Sequence, residues 1–214
     1  TDNWALYNIN IVIEGMASPR VIKTHLRADL LPQSFWEQKC KMIYVARNIK
    51  DVIVSNYYFH RMSLFLPKPG TWEQFLQKSL AGEVLWGSWF EHVKEWWSRR
   101  EKADILFVFY EDMKEDLAHE TDRVASFLDR KLSSEQIASV VRNTTFETMR
   151  ENPMTNYTTI KERIWNMNVS PFMRKGEVGD WKHHFTVAQN ELLNQLITEH
   201  LKDTFLNFRY ELRG

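Results

Sequence analysis

Short continuous apolar runs alternate along this chain with segments of 3.6-residue apolar periodicity, and this alternation predicts strands separated by helices. Met42–Ala46 and Ile105–Tyr110 are short, continuous apolar runs, typical of parallel strands that are covered on both faces. Val21–Thr24 is a shorter β-branched run and predicts another strand. Ile9–Ile13 fits either a strand or a turn of helix.

Helices are predicted between these runs by 3.6-residue periodicity and by capping residues. Asn48, with Asp51 three residues later, predicts the start of a helix that continues to about Phe65. The capping-box pattern at Thr71 predicts a helix through about Leu80. Further helices are predicted around Phe35 and Trp36, over Trp86–Trp97, Asp116–Leu128 and Ser133–Arg142, and from Thr186 to about Leu201, after which Phe205–Phe208 packs back on the body.

The alternation of strands and helices predicts an α/β fold. We expect residues 1–214 to form a single domain in which a mainly parallel sheet is flanked by helices. Residues 1–18 are poorly defined by these patterns, because a break at Gly15 follows the first apolar run. Residues 152–182 show no strong periodicity, and a loop of that length is usually functional or disordered.

The composition narrows the classes of function. The 214 residues carry 28 basic and 28 acidic side chains, so no overall field attracts nucleic acid or an anionic membrane. Cys40 is the single cysteine, which rules out an internal disulfide and favours a reducing compartment. No apolar run reaches the length of a membrane span, and no signal-peptide pattern opens the chain. We therefore expect a soluble, cytoplasmic protein without nucleic acid or membrane partners.

A local anion site is predicted where the strand Met42–Ala46 meets the helix that follows it. Arg47 stands at the strand's carboxyl end, where helix N-termini of α/β proteins present free N–H groups to ligands. A guanidinium holds two phosphate oxygens at once, and Ser55, about two turns along the helix, adds a hydroxyl donor. The alternative is that Arg47 pairs with a surface carboxylate and Ser55 is a small residue at a helix contact.

A second candidate anion-binding segment lies in the loop 152–182. Its segment SPFMRKGEVGDWK combines positive charge with flexible backbone at Arg174, Lys175, Gly176, Gly179 and Lys182. This composition suits the wrapping of a phosphate. The alternative is a solvated basic loop.

Lys23 and His25 form a candidate acid–base pair. A nearby cation disfavours the imidazolium, so His25 can stay neutral and take a proton from a hydroxyl nucleophile, while Lys23 neutralises charge on a leaving phosphate. The alternative is a surface lysine beside a structural histidine. Metal chemistry is not expected, because His183 and His184 are adjacent and no CxxC or HExxH pattern occurs.

Long segments of the chain resemble the cytosolic sulfotransferase family, in its phenol-type branch. The similarity covers nearly the whole chain after about Ser18. It is carried by KTHL from Lys23, YVARNIKDVIVS from Tyr44, FYEDMKED from Phe109, NPMTNYTT from Asn152 and SPFMRKGEVGDWKHHFTVAQNE from Ser170. Members transfer a sulfuryl group from 3′-phosphoadenosine 5′-phosphosulfate (PAPS) to a hydroxyl or amine of a small lipophilic acceptor.

The resemblance implies a role for each matching residue. His25 would be the general base, and Lys23 would stabilise the transferred and leaving groups. The implied nucleotide-binding residues are Arg47, Ser55, Tyr110, Thr144, Phe146, Met173, Arg174, Lys175 and Gly176, with Phe146 stacking on the adenine. The implied acceptor-binding residues are Lys23, His25, Phe59, Phe65, Tyr157, Ile164 and Trp165, which favours an apolar, phenolic acceptor.

A short dimer motif of the family, KxxxTVxxxE, is matched by Lys182, Thr186, Val187 and Glu191. The resemblance therefore implies a homodimer with a small interface. The alternative for the same residues is the capped start of a helix.

One family segment is missing from these 214 residues. Relatives carry a phosphate-binding loop of the type PKSGTTW upstream of KTH, which cradles the 5′-phosphosulfate, and no such segment occurs here. We therefore expect an N-terminally truncated form of the P-loop sulfotransferase fold. The protein is then either an active sulfotransferase or a non-catalytic fragment that at most binds nucleotide or dimerises. A Golgi carbohydrate sulfotransferase is disfavoured by the lone cysteine, the missing anchor and the neutral charge.

Overall fold

A parallel pair of strands lies at the centre of the fold. The computed structural model describes residues 15–159 and 164–212. Within them, strands β1 (Met42–Ala46) and β2 (Ile105–Phe109) pair in parallel, with Tyr44 opposite Phe107. These two strand predictions and the α/β class are confirmed. The predicted run Ile9–Ile13 lies outside the described residues.

Helices pack around this pair of strands. In chain order they are α1 (Gln33–Glu37), α2 (Ile49–Met62), α3 (Trp72–Leu80), α4 (Trp89–Arg99), α5 (Tyr110–Glu115), α6 (Leu117–Phe127), α7 (Ser134–Asn143), α8 (Phe146–Glu151) and α9 (Val187–Leu201). Two short 3-10 helices cover Ala28–Leu30 and Asp180–His183. Most of the described residues in 152–182 (152–159 and 164–182) have no regular secondary structure, as the lack of periodicity predicts.

The predicted N-caps are confirmed by hydrogen bonds from backbone to side chain. The side chain of Asn48 accepts from the backbone N–H of Asp51 at the start of α2. Thr71, Ser133 and Thr186 each form a complete capping box with the glutamine three residues later. These caps satisfy N–H groups that the first turn of each helix leaves unpaired.

The strand predicted at Val21–Thr24 is wrong. Residues 20–27 have no regular secondary structure, and Val21 is 91% exposed. β-branched residues favour a strand only when a neighbouring strand supplies hydrogen bonds and packing. In the described residues β1 and β2 pair with each other, and neither pairs with this segment.

Several other elements differ from the sequence prediction. Trp86 lies before α4 instead of within it, because both it and Gly87 have positive φ (75° and 76°) and Ser88 caps the helix. Tyr110 begins α5 instead of ending β2. Helices α5 and α8 were not predicted, since each is only six residues long and too short for a periodic signal.

The apolar core lies between the strands and helices α2, α3, α4 and α9. Its buried members include Ile49, Ile53, Phe75, Phe90, Val93, Trp96, Phe107 and Leu193. The helix predicted over Trp86–Trp97 thus contributes Phe90, Val93 and Trp96 to the core, whereas Trp86 is exposed. Leu206 and Phe208 pack back on the body as predicted, whereas Phe205 is 94% exposed.

Candidate functional site

Arg47 links the carboxyl end of β1 to the segment 170–182, which is called the basic loop below. Its guanidinium lies 4.3 Å from the ring centroid of Tyr110, and its Nη2 donates to the carbonyl oxygen of Glu177 at 2.5 Å. The carboxylate of Asp51 is 3.7 Å away and buried, so it is not a surface partner. The Nε of Arg47 is buried and has no hydrogen-bond partner in the described part of the chain.

Asp51 fastens the basic loop to the first turn of α2. Its two carboxylate oxygens accept from the backbone N–H groups of Gly179 and Trp181 at 2.9 and 3.0 Å. Asn48 donates to the same carboxylate and also to the buried Glu111. Burial raises the pKa of Glu111, against the lowering effect of these hydrogen bonds from Asn48. This buried network fixes where the loop passes the strand end.

Asp180 holds two of the predicted phosphate ligands side by side. Its carboxylate is almost fully buried and accepts from Arg174 and from Lys175, each at 2.5 Å. Burial alone would raise the pKa of Asp180, but the hydrogen bonds from Lys175 and Arg174 outweigh it and lower that pKa. The guanidinium of Arg174 also lies 4.5 Å from the ring centroid of Tyr58. Both cations are therefore fixed before any ligand arrives.

Gly176 is in close contact with Phe146. Gly176 has a φ of +66°, and a Cβ built on it would lie 2.2 Å from the Phe146 ring. The structure thus brings α8 against the basic loop, as expected if both contact one nucleotide. Thr144, at the end of α7, is exposed and donates to the carbonyl oxygen of Val140. Met173 is half-buried in the same loop.

Ser55 is exposed on α2. It lies three residues before Tyr58, so the two share a face of the helix. Because Tyr58 contacts Arg174 on that face, Ser55 belongs to the same surface as the basic loop. Contacts therefore connect the basic loop to Arg47, to Tyr58 and to Phe146, whereas Ser55 is placed beside it by helix spacing alone. Binding of a nucleotide by these residues stays a prediction.

Lys23 and His25 lie on the segment before the first 3-10 helix. The Nζ of Lys23 donates to the hydroxyl of Tyr157 at 3.2 Å. The ring of His25 lies 5.2 Å from that of Trp86, measured between centroids. Partial burial of the ring, followed by the positive charge of Lys23, lowers the pKa of His25. A lowered pKa favours the neutral imidazole, which is the form that can accept a proton.

An aromatic cluster adjoins this pair. Trp165 lies 4.9 Å from Phe59 and 5.5 Å from Phe65, measured between ring centroids. Phe172 lies 4.2 Å from Tyr157 and 5.9 Å from Trp165, and so joins the predicted acceptor residues into one group. The aromatic cluster is defined as Phe59, Phe65, Tyr157, Trp165 and Phe172.

Ile164 lies beside this cluster in sequence and in space. Its carbonyl oxygen accepts from the backbone N–H of Leu64 at 3.0 Å, and Ser63 forms an antiparallel bridge with Trp165. These bonds hold the segment that carries Trp165 against the end of α2. They also explain why α2 stops at Met62, three residues before the predicted end.

The predicted dimer residues lie at the start of α9. Val187 is 75% exposed, and Glu191 is exposed one turn later. Thr186 caps the helix, and Lys182 forms an ion pair with Glu211. The alternative that these residues form a capped helix start is therefore confirmed, and the homodimer stays a prediction.

Four contributors to the site were not predicted as site residues from sequence. Phe172 and Asp180 stand inside the quoted segment from Ser170, but neither carries a local pattern that separates it from its neighbours. Trp86 was assigned to a helix, and His92 stands among the polar residues of α4. Their contribution depends on contacts between distant segments, which spacing alone does not reveal.

The described residues were also compared with the requirements of a metal site and of a membrane-spanning helix. Within 15–159 and 164–212, no group of three or more His, Cys, Asp or Glu side chains is arranged to hold a metal ion. Among the helices in those same ranges, none combines the length and the apolar character that a bilayer crossing requires.

The chain belongs to the sulfotransferase family. The family model described as the sulfotransferase domain matches residues 10–205. The chain is 50% identical to human sulfotransferase 1C2 over 199 residues, which are 93% of this chain and 67% of the relative. It is 51% identical to mouse sulfotransferase 1B1 over 203 residues, covering 95% and 68% of the two chains. It is therefore a PAPS-dependent sulfotransferase by class.

Solved structures show the same fold. Mouse sulfotransferase SULT7A1, complexed with PAP (3′-phosphoadenosine 5′-phosphate), superposes with a TM-score of 0.81 at 32% sequence identity. The match covers 91% of this chain and 69% of that one. Retinol dehydratase, in complex with androsterone and the inactive cofactor PAP, superposes with a TM-score of 0.85 at 31% identity, covering 97% and 63%. The chain thus spans about two thirds of the length of its relatives.

Proposed function

We propose that this protein transfers a sulfuryl group from PAPS to the hydroxyl of a small, apolar, phenolic acceptor, with His25 as the general base. One observation carries the proposal. Lys23 joins the acid–base segment to the aromatic cluster through its hydrogen bond to Tyr157, whose ring packs on Phe172. A proton acceptor, a cation and a set of aromatic rings thus stand in one place, as sulfation of an aromatic hydroxyl requires.

The proposed chemistry is a single displacement. The Nε2 or Nδ1 of His25 takes the proton of the acceptor hydroxyl, and the acceptor oxygen forms a bond to the sulfur of PAPS. The bond between that sulfur and the 5′-phosphate oxygen breaks, so that 3′-phosphoadenosine 5′-phosphate (PAP) leaves with the electron pair. The Nζ of Lys23 stabilises the negative charge that grows on the leaving oxygen.

The nucleotide is proposed to bind along the basic loop. Arg47, Ser55, Arg174, Lys175 and the backbone of Gly176 would hold the 3′-phosphate. Tyr110, Thr144 and Phe146 would contact the adenine, with Met173 beside them. The pairing of Arg174 and Lys175 by Asp180 supports this assignment, because cations that are already fixed lose little conformational entropy when a phosphate binds.

The acceptor is proposed to lie against the aromatic cluster. Phe59, Phe65, Tyr157, Ile164 and Trp165 supply apolar surface that suits a flat aromatic molecule. Trp165 is 8% exposed, and its indole N–H has no hydrogen-bond partner in the described part of the chain. A buried donor of this kind favours an acceptor that carries an oxygen as well as a ring.

We also propose a homodimer formed through Lys182, Thr186, Val187 and Glu191, and a cytosolic location. The exposure of Val187 supports the interface, since an apolar side chain at the start of a helix gains by burial against a second copy. The single cysteine supports a reducing compartment.

The test is a pair of measurements on His25→Ala beside the unchanged chain. Sulfation of a simple phenol by PAPS should fall by about 10²–10⁴-fold, the usual contribution of a general base. Binding of PAP by calorimetry should stay unchanged, because His25 acts on the acceptor and not on the adenine or the 3′-phosphate. His119→Ala, at an exposed position on α6, is the control and should change neither quantity.

The outcomes separate the parts of the proposal. Near-normal turnover by His25→Ala would refute the base assignment. PAP binding without turnover by the unchanged chain would support the nucleotide site and point to the non-catalytic alternative. No binding of PAP would refute the proposal that these residues are sufficient to hold the nucleotide.

A further inference from the structure

The segment that carries the proposed base is held in place by helix α4. Residues 20–27 have no regular secondary structure, so no strand ladder fixes the backbone around His25. Instead, the ring of His92 contacts the backbone carbonyl oxygen of His25 through Nε2 at 3.2 Å. One turn further along α4, the indole N–H of Trp96 donates to the carbonyl oxygen of Leu26 at 3.3 Å.

The second ring nitrogen of His92 determines which tautomer is present. Its Nδ1 lies 2.9 Å from the hydroxyl of Tyr44 on strand β1. A carbonyl oxygen can only accept, so the Nε2 of His92 must be the nitrogen that carries hydrogen. In a neutral ring Nδ1 is then an acceptor, and Tyr44 must donate to it. Tyr44, His92 and the His25 carbonyl therefore form a directed chain of hydrogen bonds.

We propose that His92 is a positioning residue for the reaction: it anchors the backbone of His25 to strand β1 through Tyr44, and so sets where the base stands relative to the acceptor. This inference rests on the proposed role of His25. The anchor matters because a loop segment would otherwise carry the base, and a displacement of about 1 Å can lower a rate by about 10²-fold.

The surroundings of His92 favour the neutral ring that this chain of bonds requires. Burial lowers the pKa of His92, while the hydrogen bond to His25 and the nearby Glu95 and Asp29 raise it, and Arg27 lowers it. The net effect is a lowered pKa. On the other side Tyr44 packs against Trp96 and Phe107. Burial also raises the pKa of Tyr44, so its hydroxyl stays protonated and able to donate.

Two substitutions, each matching the position of one ring nitrogen of His92, separate positioning from general destabilisation. In His92→Gln the side-chain amide nitrogen stands near the position of Nε2 and keeps a donor for the His25 carbonyl. In His92→Asn the amide reaches only the position of Nδ1, so the bond to His25 is lost while contact with Tyr44 is retained. His119→Asn makes the same chemical change at an exposed position on α6 and serves as the control.

We expect kcat to fall about tenfold or more in His92→Asn, with KM for PAPS unchanged, and to stay within about threefold of the original in His92→Gln. Equal losses in the two variants, or equal retention of kcat, would overturn the inference. If His25→Ala turns over normally, the base assignment in the proposed function fails. If His25→Ala is inactive but His92→Asn is normal, only the positioning role of His92 fails.

A measurement that needs no turnover tests the same anchor. In a ¹³C,¹⁵N-labelled chain, we expect the carbonyl ¹³C signal of His25 to move in His92→Asn but not in His92→Gln or His119→Asn. Long-range ¹H–¹⁵N correlations of His92 should show hydrogen on Nε2 at neutral pH. Hydrogen on Nδ1 instead, or a His25 carbonyl signal that His92→Asn leaves in place, would overturn the inference.

Discussion

Replacing Gly176 with alanine tests how tightly the basic loop is held against helix α8. Gly176 has a φ of +66°, which disfavours any residue with a Cβ. A Cβ there would lie 2.2 and 2.6 Å from two ring carbons of Phe146 and 2.7 Å from its Cγ. Because Cγ lies on the axis about which the ring turns, rotation of the ring alone cannot remove the clash. The whole side chain must change its first torsion, or the loop must move.

Two contributions determine how much Gly176→Ala should lower the free energy of unfolding. The left-handed backbone costs about 1–2 kcal/mol for a residue other than glycine. Overpacking against a ring that must move costs about 1–3 kcal/mol more. Gly176→Ala should therefore lower the free energy of unfolding by about 2–5 kcal/mol. Gly87→Ala is the matched control, since Gly87 has a similar φ of +76° and nothing within 4 Å of its added Cβ. It should cost only about 1–2 kcal/mol.

Urea denaturation of both variants measures the difference, which should be about 1 kcal/mol or more. PAP affinity by calorimetry should fall in Gly176→Ala and stay unchanged in Gly87→Ala. Adding Phe146→Ala to Gly176→Ala should recover part of the lost stability, because contacting residues couple in a double-mutant cycle. Equal losses in the two glycine variants, without coupling to Phe146, would refute the reasoning.

Two further predictions concern charge. Lys23→Met removes a cation that lowers the pKa of His25, so that pKa should rise and the acid limb of kcat/KM should move to higher pH; a limb that stays in place would contradict the electrostatic role of Lys23. Asp180→Asn should lower the free energy of unfolding at pH 7 by about 1–3 kcal/mol in urea denaturation, since Arg174 and Lys175 lose a charged acceptor. The folded-state pKa of Asp180 is lowered, so its stabilisation is present above the unfolded-state pKa and is lost as pH falls through the folded-state value. Equal stability of the Asp180→Asn variant and the unchanged chain at pH 7 would contradict the prediction.

Elements with a strong local signal were predictable from the sequence. β1 and β2 are continuous apolar runs, and α2, α3, α7 and α9 begin at capping residues whose hydrogen bonds the structure shows. A cap and an apolar stripe act within a few residues of each other, so spacing in the chain reports them. Only the ends of these elements shifted, by a few residues.

The strand prediction at Val21–Thr24 failed for the opposite reason. Whether that run becomes a strand depends on hydrogen bonds from another segment, which the run itself does not encode. The same limit applies to the site. Contacts with residues distant in the chain bring three residues into the site: Phe172, Asp180 and His92. No local sequence pattern predicts these contacts.

The basic loop occurs in a chain of zero net charge, and its cations are paired with buried carboxylates. Arg174 and Lys175 share Asp180, and Arg47 lies between Asp51 and the carbonyl oxygen of Glu177. Since Asp51 and Asp180 are buried, they fix these cations without exposing negative charge to an arriving phosphate. The loop therefore holds its cations in fixed positions, a local arrangement that the neutral net charge of the whole chain does not reveal. We therefore expect the fixed arrangement of these cations, more than the number of basic residues, to determine how well this segment binds a nucleotide phosphate.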